Sequence, residues 1–370
     1  MFVRSLVDFL IASLVASLLL WSSLVGAQQV ATNVGVYYFP GWRNDTPFAP
    51  SNRPWERIIP YKDREPLLGW YDEGSDEVMR QHIDWMLGAG LKYVVFDWYW
   101  DVDNRVYLDH ALAAYFRNAK RARLPFSIMW ANHGKSPNNR ANWDRMVDFW
   151  VRYYAPRPEM LRIDGKPVIF IFLARELDAS ARKFGSSAAE LISAAQAKAH
   201  DSGLQGFYFV AGAASEETAV IKEALKTGYS AVTMYNMHRP PFVQKESYSY
   251  AELDDGYRSH WRTYEAASPV PVFFPMTSGW DKRPWGGSDD PRHDRSLSVP
   301  SEFELHLRAA KSAIEAGKLR EGQSARWGLI CCWNEFGEGS FIEPTRALGT
   351  AMIDRVRSVF DPARSANPKE

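Results

Sequence analysis

The stretch "WNEFGEGSFIEPT", residues 333–345, sets Glu335 and Glu338 three positions apart, directly behind the apolar run "WGLICC". Two carboxylates in one cleft can divide acid and base work, because their surroundings push the two pKa values apart. Gly337 and Gly339 permit the sharp backbone path that would turn both toward one site. A solvated turn with incidental charge is the competing reading. Further polar residues stand at the ends of apolar runs: Asp97 in "VVFDWYW", Asn132 and His133 in "WANHG", Asn236 and His238 in "MYNMH", Asp281 in "SGWDKRPW", and Asn334 beside Glu335. Asp97 also reads as a strand-capping aspartate, and His133 as a satisfied histidine. The segment "GGSDDPRHD" (286–294) gathers Asp and His, but with no HExxH or CxxC spacing it reads as an acidic surface loop. No Gly-x-Ser-x-Gly elbow is present, which argues against an α/β-hydrolase.

Aromatic residues surround these positions. The chain holds 15 Trp, 17 Tyr and 20 Phe; core filling covers most of them, but several sit in polar contexts such as "YYFPGW", "DWYWD" and "MWANHG". Flat aromatic faces in a polar cleft suit stacking on the C–H face of a sugar. Tyr38, Trp42, Trp98, Trp100, Trp130, Tyr235 and Trp280, with the polar Asp97, Asn132, Asp281 and Asn334, are the candidates for lining such a site.

Something must bring those positions together. Eight apolar, β-branched or aromatic runs fall at 34–39, 92–98, 125–131, 167–173, 206–212, 230–236, 271–277 and 327–333. Continuous runs of this kind fit strands of a parallel sheet covered on both faces. Amphipathic stretches separate them, among them "SDEVMRQHIDWMLGAG" with Ser75 as N-cap and Val78, Ile83, Met86 and Leu87 available for the inner face. Strands alternating with helices predict a single (β/α)8 TIM barrel with long loops after strands 1, 6 and 7. A doubly wound open sheet is the alternative, but no GxGxxG or GxxxxGK[ST] follows any run. In a barrel the loops after the strands cluster on one face, which is where the candidate residues fall.

Composition narrows the partners. With 44 basic and 44 acidic side chains in 370 residues, the chain lacks the footprint of a nucleic-acid binder. Residues 1–27, with Arg4, an apolar stretch and "VGA" before Gln28, read as an export signal, and an uncleaved anchor is the competing reading. After cleavage no membrane contact is expected. Residues 28–361 form the expected domain and 362–370 a disordered tail. The two cysteines, Cys331 and Cys332, are neighbours inside an apolar run and read as buried, unbridged strand residues.

Taken together, "YYFPGW", "HIDWMLGAGLKYVVFDWYW", "IMWAN", "RIDGKPVIFIF", "GWDKRP" and "WNEFGEGSFIEP" resemble glycoside hydrolase family 99, most closely its family 99-like, WbsX-type branch, over residues 34–358. The resemblance implies a (β/α)8 barrel. It also implies retaining, endo-acting chemistry on α-mannosides, with no cofactor. By it, Glu335 would deprotonate the sugar 2-hydroxyl, giving a 1,2-anhydro sugar, and Glu338 would protonate the leaving oxygen and then activate water. The mannosidases typically read Asn-Glu-Trp-His-Glu-Gly where this chain has Phe336 and Gly337, a variation typical of the WbsX-type branch. Members of that branch are often labelled glycosyltransferases of surface polysaccharide. The expectation is therefore an exported glycosidase acting on a poly- or oligosaccharide. A glycosyltransferase or transglycosylase, and a non-catalytic carbohydrate-binding barrel, stand as alternatives.

Overall fold

The computed structural model describes residues 30–43, 53–214, 217–236 and 248–363. The chain divides between Ala31 and Thr32, and the fold described is that of the second unit. The export-signal reading, most of the tail and most of the loop after the sixth strand, His238 included, lie outside the described residues.

All eight expected runs contain strands: β1 Thr32–Tyr38, β2 Tyr93–Trp100, β3 Phe126–Trp130, β4 Lys166–Ile171, β5 Tyr208–Gly212, β6 Ala231–Thr233, β7 Phe273–Thr277 and β8 Arg326–Cys331. They pair in parallel in the order β6-β5-β4-β3-β2-β1-β8-β7. A parallel bridge between Val232 and Val272 joins the two ends, supported by the Thr233 hydroxyl donating to Phe273 O at 2.9 Å. The sheet is thus a (β/α)8 barrel, as the alternating runs predict.

Helices fill the gaps: α1 Asp76–Gly88, α2 His110–Ala122, α3 Arg140–Phe149, α4 Ala174–Arg182, α5 Ala188–Asp201, α6 Thr218–Thr227, α7 Tyr250–Ala267, α8 Pro300–Ala316 and α9 Ala351–Phe360. Two start on reciprocal capping boxes, Ser187 with Glu190 and Ser249 with Glu252, which satisfy the free N–H groups of the first turn. The short α4 was not expected from the sequence; "ARELDASAR" buries only Ala174, Leu177 and Ala181, a face too narrow to read as a separate helix. In α1 the buried face is Met79, His82, Ile83 and Met86, flanked by half-buried Val78 and Leu87.

Strand alternation divides the apolar side chains into two nested layers. Tyr37, Tyr93, Val95, Met129, Val168, Phe170, Val210, Phe273 and Leu329 fill the barrel interior. Val36, Tyr38, Val94, Phe96, Trp98, Trp100, Ile128 and Trp130 face the helices. Each large side chain so buried contributes roughly 1.5–3 kcal/mol. One expectation is corrected here: Cys331 and Cys332 form a disulfide, across a cis peptide that brings their Cα atoms to 2.9 Å and places both sulfurs on one side of the chain. No described helix is long and apolar enough to cross a membrane.

Candidate active site

At the C-terminal ends of the strands lies a cavity of about 380 Å³, lined by residues from β1, β2, β3, β4, β6, β7 and β8 or the loops that follow them. Phe39 follows β1, and Arg57 comes from the long loop beyond it. Asp97 and Tyr99 project from β2, Met129, Ala131 and His133 from β3 and its loop, and Phe172 and Tyr235 from just past β4 and β6. Lys282 and Trp285 stand on the loop after β7, and Glu335 and Glu338 after β8. This is the face on which a barrel's loops converge.

The two glutamates are placed by a two-residue ribbon, not by a helical turn. Asn334–Glu335 pairs antiparallel with Ser340–Phe341, and Glu338 sits in the connecting turn, its N–H donating to Glu335 O at 3.2 Å. The glycines are needed for close approach. A Cβ on Gly337 would stand 1.6 Å from Trp285 Nε1, and Gly339, at φ +69°, would place one 2.7 Å from the Asp281 nitrogen. That nitrogen donates to Glu338 O at 2.6 Å, tying the β7 and β8 loops together.

Three carboxyls thus face one pocket. Asp97 and Glu335 are buried, and Glu338 is partly exposed. Burial, then repulsion from Glu338 and Asp97, push the Glu335 carboxyl well above the usual range. Burial pushes Glu338 up to about 7, with Lys282 opposing it. Asp97 is raised chiefly by burial as well. The Tyr235 hydroxyl lies 3.0 Å from both Asp97 Oδ2 and Glu335 Oε1. The phenol has one proton for two acceptors, so a proton on one of the carboxyls makes both contacts full hydrogen bonds. The tyrosine is held by ring contacts to Tyr37 (4.8 Å) and Phe172 (5.4 Å).

Of the residues expected from the sequence, Glu335, Glu338, Asp97 and Tyr235 meet in this pocket, as does His133, whose ring abuts Tyr99 and Phe172. The other described ones do not line it, and each has a structural partner, though Trp100 and Trp130 also border a smaller cavity of about 220 Å³ beside it. Tyr38 points outward to α1, its hydroxyl 3.1 Å from His82 Nδ1. Trp98 donates to the Tyr154 hydroxyl at 2.8 Å and stacks on Trp100, while Trp130 packs on Trp143 and Trp150. In all four the strand's two-residue alternation turns the side chain to the helix layer. Trp42 is fully buried, stacked on Trp55 and Trp285, and donates to Asn334 O at 2.8 Å.

The amides act as straps. Asn132 exchanges two 2.8 Å bonds with the Leu173 backbone, and Asn334 two 2.9 Å bonds with Phe39, each joining neighbouring strand ends. Trp280 donates to Ser288 Oγ, and Asp281 is shared by Arg64 (2.7 Å) and Arg283 (2.5 Å). Phe39, Arg57, Tyr99, Met129, Ala131, Phe172, Lys282 and Trp285 line the pocket without having been expected there. The phase of β2 could have found Tyr99, two residues from Asp97; nothing in the sequence marks the loop residues Arg57 and Trp285. In the 286–294 loop, Asp294 accepts from Lys282 N, Ser288 N and Ser288 Oγ, and Asp290 pairs with Arg292, so these carboxylates hold the loop's own shape. Among the described residues no group of His, Cys, Asp or Glu is arranged to hold a metal ion.

The family model described as glycosyltransferase WbsX matches residues 60–356, and the chain belongs to that family. No curated protein sequence matches it. Among solved structures, a glycoside hydrolase family 99 endo-α-mannosidase from Bacteroides thetaiotaomicron superposes with TM-score 0.63 at 16% identity, covering 90% of this chain and 98% of the other. The same enzyme's complex with bis-tris propane gives 0.58 at 18% identity, over 90% and 99%. A protein described as glycoside hydrolase-like gives 0.65 at 13% identity, over 89% and 93%. At these identities the likeness is one of fold, and the fold is the same (β/α)8 barrel.

Proposed function

We propose that this WbsX-family barrel is an exported, retaining, endo-acting glycoside hydrolase that cleaves a poly- or oligosaccharide with Glu335 and Glu338. The observation that carries the reading is the convergence of both glutamates in one aromatic-walled pocket, where burial raises both carboxyls, Glu338 to about 7. The fold likeness to endo-α-mannosidases supports an α-mannoside-like substrate.

In the mechanism, Glu335 takes the proton of the sugar 2-hydroxyl, and O2 attacks C1. The bond from C1 to the leaving oxygen breaks as Glu338 gives that oxygen its proton. This leaves a 1,2-anhydro sugar. Glu338, now ionised, removes a proton from water, which attacks C1; the C1–O2 bond opens and O2 recovers its proton from Glu335. Two inversions give net retention. The Tyr235 hydroxyl, donating to Glu335 Oε1, works against the larger effect of burial and of the neighbouring carboxyls, and so favours the role of base. A Glu338 carboxyl poised near 7 can both give and take a proton within one cycle.

The test is release of reducing ends from a panel of α- and β-linked polysaccharides by wild type, Glu335→Gln and Glu338→Gln. Cleavage of one polymer, lost in both variants with folding unchanged, is the expected result; cleavage that survives both substitutions refutes the assignment. The family's description as a glycosyltransferase supports a second reading, transfer to a sugar acceptor. A requirement for a nucleotide-sugar donor would establish it. Hydrolysis needs no activated donor and is the reading that fits export. A barrel that only binds glycan would show affinity but no product.

A further inference from the structure

We infer that the pocket takes a glycan whose sugars carry an anionic substituent, a carboxylate or sulfate ester, met by Arg57 and Lys282. The inference rests on the glycan reading above and names the substrate's charge. Several other cations on the surrounding loops are matched within the protein. Arg53 pairs with Glu56 at 2.9 Å, Arg346 with Glu65 at 2.7 Å, and Arg64 and Arg283 with Asp281. Arg57 and Lys282 line the cavity and make no side-chain hydrogen bond or ion pair with any described residue. Asp281, the nearest carboxylate in sequence to Lys282, is already shared by two guanidinium groups and offers no third partnership.

The pocket's own carboxyls do not cancel this charge. Asp97 and Glu335 share the Tyr235 hydroxyl, an arrangement that a proton on one of them completes. Burial lifts both, and Glu338 to about 7, so fewer than three negative charges stand there near neutral pH. A smaller cavity of about 220 Å³ adjoins the first through Ala131, and the Tyr99 and Tyr107 rings, 5.2 Å apart, link their walls. It also carries Lys135, which makes no side-chain hydrogen bond or ion pair with any described residue, while its Asp101 is taken by Arg105 at 2.9 Å. Cations spaced along two joined, aromatic-lined cavities fit a polymer that brings a negative charge on its sugars. A guanidinium offers a planar fork for carboxylate or sulfate oxygens, and the ammonium a point charge.

The experiment measures binding by calorimetry, to wild type and to Glu335→Gln, so that it does not depend on turnover. The probes are polygalacturonate, alginate and a sulfated galactan, each paired with its carboxyl-reduced or desulfated neutral form, with neutral mannan and glucan alongside. The expected result is one acidic glycan bound about tenfold or more tighter than its neutral form. That affinity should weaken from low salt to about 0.5 M NaCl and fall in Arg57→Gln and Lys282→Gln. Whether a carboxyl-reduced or a desulfated form loses binding identifies the anion. No binding to any acidic glycan, equal binding to the neutral form, or acidic binding unchanged in both variants overturns the inference. Cleavage of a neutral mannan with no acidic binding would leave the hydrolase reading intact; acidic binding without cleavage would do the reverse. The melting temperatures of both variants, which break no hydrogen bond or ion pair with a described residue, are expected to stay close to wild type.

Discussion

The Tyr235 hydroxyl stands 3.0 Å from Glu335 Oε1 and also 3.0 Å from Asp97 Oδ2, joining β6, β8 and β2 across the mouth of the barrel. With a proton on Asp97, the aspartate donates to the phenol and the phenol donates to an ionised Glu335. Tyr235→Phe removes the donor, so kcat is expected to fall about 10–100-fold, a loss of the size expected for a bond to a charged group. The acid limb of the pH–rate profile should move to higher pH, because the lost hydrogen bond had lowered the Glu335 pKa. Asp97→Asn keeps a donor and should stay within about tenfold of wild type, while Asp97→Ala should not. A Tyr235→Phe enzyme with unchanged rate and profile would refute the relay.

The alkaline limb should belong to Glu338. As the acid it must be protonated, so kcat/KM is expected to fall as pH rises through about 7. The Lys282 ammonium lowers the Glu338 pKa, and removing it in Lys282→Met should move this limb to higher pH. A limb that stays in place, or moves down, would contradict the placement of Lys282 beside the glutamate.

Adjacent aromatics on β2 should respond differently. Trp98→Ala opens a cavity in the helix layer and is expected to cost about 3–5 kcal/mol of stability, with KM of the folded enzyme little changed. Tyr99→Ala strips the pocket wall and should raise KM. Chemical denaturation and initial rates on the two variants separate the outcomes, and the reverse pattern would mean that the strand's phase is misassigned.

Gly337→Ala forces its Cβ into the Trp285 indole. The expected cost is about 1–3 kcal/mol together with a raised KM, since Trp285 lines the pocket. Gly88→Ala, at the end of α1 and in neither cavity, where the added carbon meets only Arg357 Nη2 at 3.8 Å, is the control and should leave KM unchanged without lowering the melting temperature.

His260, buried on α7 against Tyr264, is held neutral, its pKa lowered by desolvation to about 3. In the unfolded chain it would titrate near 6.5, so between these values the unfolded state binds a proton that the native state refuses. Stability is therefore lost as pH falls below about 6.5, by about 2 kcal/mol at about pH 5 from this residue. His260→Phe should flatten that part of the stability–pH curve relative to wild type. An unchanged slope would mean that the imidazole is already protonated in the native protein.

The barrel was legible in the sequence because a strand covered on both faces must be apolar along its whole length, and eight such runs with helices between them leave few ways to close. Glu335 and Glu338 were legible because a charged, glycine-flanked stretch directly after the last run has little reason to be there on packing grounds. Continuous apolar runs, however, hide their own phase. Tyr38, Trp98, Trp100 and Trp130 read as well as Tyr99 or Phe39, yet a one-residue offset sends them to the helix layer. Asp97 could have set the phase on β2, since a carboxyl beside an open pocket costs less than one among helices. Register then places Met129 beside it on β3. What only the tertiary structure decided is which loop residues arrive at the pocket. Arg57, Lys282 and Trp285 come from segments far apart in sequence, and Tyr235 reaches Glu335 across 100 residues. No local pattern encodes such meetings; they follow from how the barrel closes and from the straps and glycine-permitted contacts that fix its loops.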